Sequence, residues 1–123
     1  MILVDTSVWV DHLRSRVALL QSVLDQGLVL MHPIVIGELA CSHLRNRTGV
    51  IGMMRELANA PVADHGEVLD YIERRRLMGR GLGYNDVQLL ASAVLAGARL
   101  WTRDRRLKVA AEEVEVSYSD PPP

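Results

Sequence analysis

The stretch Ile2-Leu3-Val4-Asp5-Thr6-Ser7-Val8-Trp9-Val10 constrains the fold more than any other part of the chain. Ile2, Leu3 and Val4 form an apolar run too short for a helix, ended at once by an acid and two hydroxyl residues. The helical spacing of Val8, Trp9 and Leu13 follows directly. This reads as a buried strand that ends in a carboxylate, with Thr6 or Ser7 capping the next helix. Ligands of open parallel sheets sit beyond the carboxyl ends of the strands, and Asp5 stands at that edge.

The remaining chain alternates short apolar runs with amphipathic stretches. Helical spacing spans 17–24, with Gly27 placed to stop it, and Leu28-Val29-Leu30-Met31 reads as a second buried strand. Pro33 suits the first turn of a helix reaching about Leu44. Asn46-Arg47-Thr48-Gly49 reads as a turn, 50–60 as a helix and Pro61-Val62-Ala63 as a weak strand. A polar-faced helix is expected over 67–78, then the flexible segment Gly79-Arg80-Gly81-Leu82-Gly83. Tyr84-Asn85-Asp86 opens a strongly apolar helix from Val87 to about Leu95, closed by Gly97. Arg99–Trp101 with Thr102 reads as a strand, 105–112 as a short helix and Val114-Glu115-Val116 as a last strand. Strands alternating with helices predict right-handed crossovers, hence a three-layer α/β/α sandwich around a mostly parallel sheet. One domain over residues 1–120 and a tail, Pro121-Pro122-Pro123, account for the chain.

Composition narrows the function classes. Hydrophobic residues at 49% and charged residues at 24% fit an ordinary domain with a real core rather than a disordered chain. No apolar run approaches the roughly 18 residues of a membrane span, and no basic segment precedes the first apolar stretch as in a signal peptide. Cys41 is the single cysteine, which excludes an intrachain disulfide and fits a cytoplasmic setting. A net charge of -1 gives no hint of a nucleic-acid partner. The positive charge is nonetheless thirteen Arg against Lys108 alone, and Arg is the better residue for forked contacts to phosphate.

Four acids invite a common explanation, although each has an ordinary one. Asp5 after its strand fits a turn or cap. Glu38 sits inside Ile34-Val35-Ile36-Gly37-Glu38-Leu39-Ala40-Cys41, where it is either an exposed residue on a mostly buried helix or a carboxylate with a partner. Asp86 at a helix start is favoured by capping and the helix dipole, yet shares a stripe with Leu89, Leu90 and Ala93. Asp104 follows a strand and precedes a helix, as a cap would. Two of the four lie past parallel strands and two on helices leaning over the same sheet edge. Such a cluster cannot all stay ionised without a cation, and Mg²⁺ or Mn²⁺ is the matching hard ion. These ions leave ligand positions for water and substrate phosphate, which points to phosphoryl chemistry.

The same residues resemble the PIN-domain ribonucleases, and more narrowly the VapC toxins of bacterial VapBC toxin–antitoxin pairs. The motifs, in order, are Val4-Asp5-Thr6-Ser7-Val8-Trp9, Ile34-Val35-Ile36-Gly37-Glu38-Leu39, Gly81-Leu82-Gly83-Tyr84-Asn85-Asp86 with Leu89-Leu90-Ala91, and Leu100-Trp101-Thr102-Arg103-Asp104-Arg105-Arg106-Leu107. The resemblance implies that Asp5, Glu38, Asp86 and Asp104 form an acidic catalytic site. Asp5, Asp86 and Asp104 would hold Mg²⁺ or Mn²⁺, and Glu38 would act as a ligand or orient water. Thr6, Ser7 and Thr102 would aim the carboxylates through hydrogen bonds. The implied reaction is site-specific hydrolysis of RNA, transfer or ribosomal RNA being the expected target, leaving a 5′-phosphate and a 3′-hydroxyl and inhibiting translation.

An acidic site repels RNA, so basic residues must hold the strand beside it. Arg80, Arg103 and Arg105 are the candidates, with Arg106 and the run Arg74-Arg75-Arg76, itself readable as a solvated helix face. Trp9 and Trp101 read as core residues, and His12, His32, His43 and His65 share no metal-ligand spacing and read as structural or exposed. The resemblance also implies a VapB-type antitoxin, a homodimer, no membrane, and contact with DNA only through the antitoxin. Rival readings fare worse. A haloacid-dehalogenase-type phosphatase needs a second Asp where Ser7 stands, and a response-regulator receiver needs an acidic pair after the first strand and a phosphoacceptor where only Asp64 is offered. A catalytically silent PIN-like module that binds RNA or protein is the remaining alternative.

Overall fold

The computed structural model describes residues 1–119, so the proline tail expected at 121–123 lies outside the described residues. Ile2–Val4 forms β1 at the centre of a three-stranded parallel sheet, between β2 (Val29–Leu30) and β3 (Arg99–Trp101). Ile2 and Leu3 pair with Val29 and Leu30 on one side; Ile2, Leu3 and Val4 pair with Arg99, Leu100 and Trp101 on the other. A strand covered on both faces needs apolar residues at every position rather than alternate ones, and Leu3 and Val4 are wholly buried.

Parallel neighbours require helical crossovers. These are α1 (Thr6–Arg14), α2 (Ala18–Asp25), α3 (Pro33–Ala40), α4 (Arg47–Glu56), α5 (His65–Arg75), α6 (Tyr84–Ala96) and α7 (Arg105–Glu113). α3 packs chiefly on α1 and α4, whereas α6 packs on α5, α7 and β3. Two helical groups thus flank the sheet, and the expected α/β/α sandwich is present. α6 is the most buried helix because Val87, Leu89, Leu90, Ala91 and Ala93 fill its inner face. It ends where Gly97 takes a φ of 61°, a conformation without cost only for glycine.

Several boundaries differ from the sequence reading, each for a local reason. α3 stops at Ala40, short of Leu44, where Ser42 turns both its N–H and its hydroxyl onto the Leu39 carbonyl and the i→i−4 ladder ends. The turn expected at 46–49 is instead the start of α4, with Asn46 in a left-handed conformation at its N-cap. Asp64 and Glu67 form a capping box, so α5 begins at His65, earlier than expected. Pro61-Val62-Ala63 is not a strand. The parallel bridge forms at Asn59 with Met31, and Ala63 gives its N–H to Ser92 Oγ and takes the Gln88 amide on its carbonyl. The last strand reduces to one bridge between Leu100 and Ser117, because Glu115 turns the chain with a φ of 61°.

Candidate active site

β1 and β3 are adjacent, so the residues that follow them meet at the same sheet edge. Asp5 N–H donates to the Trp101 carbonyl at 2.9 Å, continuing the ladder one step past β1. Asp5 occupies the N-cap position of α1, yet its side chain caps nothing. Its Oδ2 instead accepts two hydroxyls, Ser7 Oγ and Thr102 Oγ1, each at 2.7 Å. Ser7 Oγ also receives Arg103 N–H at 3.0 Å, and Thr102 Oγ1 receives Asp104 N–H at 3.0 Å. The ordinary reading of Asp5 as a cap is therefore excluded. Asp5 is 6% exposed, and its Oδ1 has no hydrogen-bond donor among the described residues.

The other acids repeat that division of labour. Asp104 does cap α7, its Oδ1 accepting Arg106 N–H and Leu107 N–H at 3.0 and 3.1 Å, while its Oδ2 accepts no hydrogen bond among the described residues. Asp86 Oδ2 accepts Gly83 N–H at 2.9 Å in the first turn of α6, again with the other oxygen unengaged among the described residues. Glu38 is exposed on α3, and its Oε1 takes the Thr6 hydroxyl at 2.8 Å. Each carboxylate thus has one oxygen fixed by the protein and one left over.

Electrostatics show three of them converging. The Asp86 carboxyl is pushed above the usual carboxylate range, first by burial and then by the negative charges of Asp104 and Asp5, against the opposing Gly83 hydrogen bond. Glu38 joins from α3 through Thr6, the residue next to Asp5. The anchored oxygens, the spare ones and the mutual repulsion make this donor set fit a hard divalent cation. Among the described residues no three His, Cys, Asp or Glu side chains enclose an ion unaided.

The basic candidates divide. Arg80 is committed to Glu113 of α7 by a forked pair of hydrogen bonds at 2.8 and 2.7 Å, and Arg103 Nη1 pairs with Asp11 of α1 at 2.8 Å. Arg106 lies across the glycine segment, where a side chain on Gly81, itself at φ 78°, would collide with the guanidinium. Arg74 and Arg75 stack near Tyr71. Arg105 is exposed and forms no side-chain hydrogen bond or ion pair among the described residues. Trp9 and Trp101 are buried, as expected of core residues. The sequence reading missed the acids Asp11 and Glu113 as partners of Arg103 and Arg80, since nothing in linear spacing links residues so far apart.

Residues 2–113 match the PIN domain family. The chain is 49% identical over 121 residues to Ribonuclease VapC32 of Mycobacterium tuberculosis, in both strain CDC 1551 / Oshkosh and strain H37Rv, with 98% of each chain covered. Among solved structures it resembles VapBC-1 from nontypeable Haemophilus influenzae, with a TM-score of 0.71 at 20% identity. It also resembles FitAcB from Neisseria gonorrhoeae, with a TM-score of 0.69 at 21% identity; 98% of each chain is covered in both cases. The structures carry the fold and the relatives carry the family: this chain belongs to the PIN-domain family, as a VapC-type protein.

Proposed function

We propose that this protein is a divalent-metal-dependent, site-specific endoribonuclease, the toxin of a type II toxin–antitoxin pair. The observation that carries the reading is the set of four carboxylates at one sheet edge, each with one oxygen anchored and the other unengaged among the described residues. Asp5, Asp86 and Asp104 would hold Mg²⁺ or Mn²⁺, and Glu38 completes the set as a ligand or a water-orienting group. The cation, when bound, supplies Lewis acidity toward water and phosphate. Ser7 and Thr102 keep Asp5 Oδ2 occupied and so leave Oδ1 for the cation. Thr6 holds Glu38 at the height of Asp5, where its spare oxygen can accept a proton from the attacking water. Arg105 is the side chain best placed to draw a phosphate backbone to an otherwise repulsive edge.

The partners follow from the relatives. A VapB-type antitoxin is the expected inhibitor, since the structural neighbours are named VapBC-1 and FitAcB. Contact with DNA would come only through that antitoxin. Self-association into a homodimer is supported by Leu69 of α5 and Val94 and Leu95 of α6, all exposed apolar residues. No helix among the described residues is long and apolar enough to cross a membrane; a transfer or ribosomal RNA substrate, whose cleavage would inhibit translation, implies action in the cytoplasm. The non-cutting module has one observation in its favour, the lack of three acids grouped tightly enough to enclose an ion.

One experiment separates the two. Purified protein is incubated with total bacterial RNA plus Mg²⁺ or Mn²⁺, or plus EDTA, and new 5′ ends are mapped, with Asp5→Asn alongside. Discrete metal-dependent cuts absent from the mutant are expected. RNA that stays intact with metal-loaded protein, while still being bound, would replace the nuclease by the binding module.

A further inference from the structure

His32 is wholly buried, and its hydrogen bonds leave only one tautomer. Nδ1 accepts the Ile34 N–H at 3.1 Å as the N-cap of α3, so it carries no proton. Nε2 therefore carries it and donates to Ser92 Oγ of α6 at 3.0 Å. Ser92 Oγ in turn donates to Gln88 Oε1 at 3.2 Å and accepts Ala63 N–H at 3.4 Å, and Gln88 Nε2 donates to the Ala63 carbonyl at 2.8 Å. None of these buried side-chain atoms is without a partner. The chain of bonds runs from the first residue of one acid-bearing helix into the body of another, because α3 carries Glu38 and α6 carries Asp86. These two helices pack chiefly on other elements, α3 on α1 and α4 and α6 on α5, α7 and β3. A buried bond of fixed length between them decides how far apart their acids stand.

We propose that His32 is a positioning residue that, through the His32–Ser92–Gln88 relay, sets the spacing between α3 with Glu38 and α6 with Asp86. The proposal rests on the reading of these acids as one metal-dependent site. Its own evidence is the direct bond between the two helices, which capping of α3 does not require.

Asn separates capping from tying. His32→Asn keeps a side-chain oxygen for the Ile34 N–H, as a good N-cap does, but is too short to reach Ser92. Ser92→Ala breaks the same bond from the other side with the cap intact. Cys41, the single cysteine, is exposed at the end of α3 and takes a nitroxide label without further change; a second label goes on Asn85→Cys at the start of α6. Electron–electron distance measurement on metal-free protein reads the helix spacing, and Mn²⁺ titration reads the site. Both variants are expected to shift or broaden the Cys41–Asn85 distance distribution. Mn²⁺ affinity should fall about 10-fold in each, as for other supports of metal ligands, and the double variant should be no worse than either alone.

An unchanged distance distribution in a folded variant that has lost the His32 Nε2–H resonance overturns the proposal, whether or not the protein takes up metal. A wild-type protein that binds no Mn²⁺, with variants that still show the spacing change, overturns instead the metal reading and leaves the tie between the helices established. If His32→Asn proves unfolded, Ser92→Ala decides by the same two measurements.

Discussion

Two buried polar networks of this molecule use the same chemistry to opposite ends. At the sheet edge, Ser7 and Thr102 both donate to one oxygen of Asp5 and leave the other without a donor among the described residues. Behind it, His32, Ser92 and Gln88 bond to one another and to the Ala63 backbone, and each of their side-chain polar atoms has a partner. A closed network is a frame, because every bond stabilises one geometry. An open one is a site, because its spare oxygen keeps an acceptor position that a ligand can take. The difference teaches where to look for function in a small α/β domain: among satisfied side chains that still have one acceptor to spare.

The comparison breaks first under paired substitutions. Thr102→Val removes a donor from the open network, and metal affinity or cleavage should drop roughly 10–100-fold with little loss of melting temperature. Gln88→Leu opens the closed network, leaving the Ala63 carbonyl without its donor and the Ser92 O–H without its acceptor. Stability should fall by about 1–3 kcal/mol, read by urea unfolding, a loss that Thr102→Val should not share. Equal losses of stability in both variants would erase the distinction between frame and site.

Asp86 sharpens it. Its carboxyl is raised by burial and by Asp104 and Asp5, so the native state holds this group charged less willingly than the unfolded chain does. Stability from this group is full below the unfolded value of 3.8 and is lost as pH rises through the raised folded value. At neutral pH, metal-free Asp86→Asn should therefore melt a few degrees higher than the wild type, keep the bond from Gly83 N–H, and cleave no RNA. Added Mn²⁺ should reverse the order by stabilising only the wild type. A variant that melts lower than the metal-free wild type would show that Asp86 is stabilising, as a frame residue is.

The open network was largely legible in the sequence and the closed one was not. Asp5 and Asp104 follow apolar runs and Asp86 opens an apolar helix, so strand ends and helix starts marked their places. Glu38 stood out because an acid among Ile34, Val35, Ile36 and Leu39 needs a reason. The sheet core was equally plain, since a doubly covered strand must be apolar throughout. His32, Ser92 and Ala63 lie far apart in sequence and have no periodicity in common, so His32 read only as structural or exposed, with no partner to name. The same blindness produced the strand expected at Pro61-Val62-Ala63: the apolar character was read, but the Ala63 backbone groups are claimed by α6 side chains, not by a neighbouring strand. The helix start at Arg47 was hidden by Gly49 and Gly52, which sit inside α4 where glycine is ordinarily disfavoured. Arg80 was legible as a candidate RNA contact in a flexible segment, but its forked bond to Glu113, distant in sequence, was not.

The closed network should also show itself in the pH dependence of stability, with a sign opposite to that of Asp86. Burial holds the His32 pKa below the usual 6.5, and only the Gln88 side chain works against it. Below about 6.5 the unfolded chain takes up a proton that native His32 refuses. Stability is thus full above that value and declines as pH falls toward the folded pKa, by at most about 1.4 kcal/mol per pH unit. His12 is lowered too, mainly by burial, and bends the profile the same way. The difference between wild type and His32→Asn isolates the relay: the two unfolding curves should diverge above pH 6.5 and draw together on acidification. Parallel curves would mean that His32 titrates in the native state as it does in the unfolded chain.

The smallest effect is expected at a buried polar atom that belongs to neither network. Trp101 ends β3 beside Thr102 and is 1% exposed, its ring 5.1 Å from that of Tyr118, yet its Nε1–H has no hydrogen-bond partner among the described residues. An unpaired buried donor costs about 1–3 kcal/mol. Trp101→Phe removes that cost and, with it, part of a large buried ring, which typically costs a similar amount through the void left behind. The two nearly cancel, so the melting temperature should move by a few degrees at most, in either direction, and cleavage should be unchanged because Thr102 keeps its backbone place. A loss as large as the roughly 3–5 kcal/mol of a full aromatic truncation would mean that Nε1–H is satisfied after all, by a buried water.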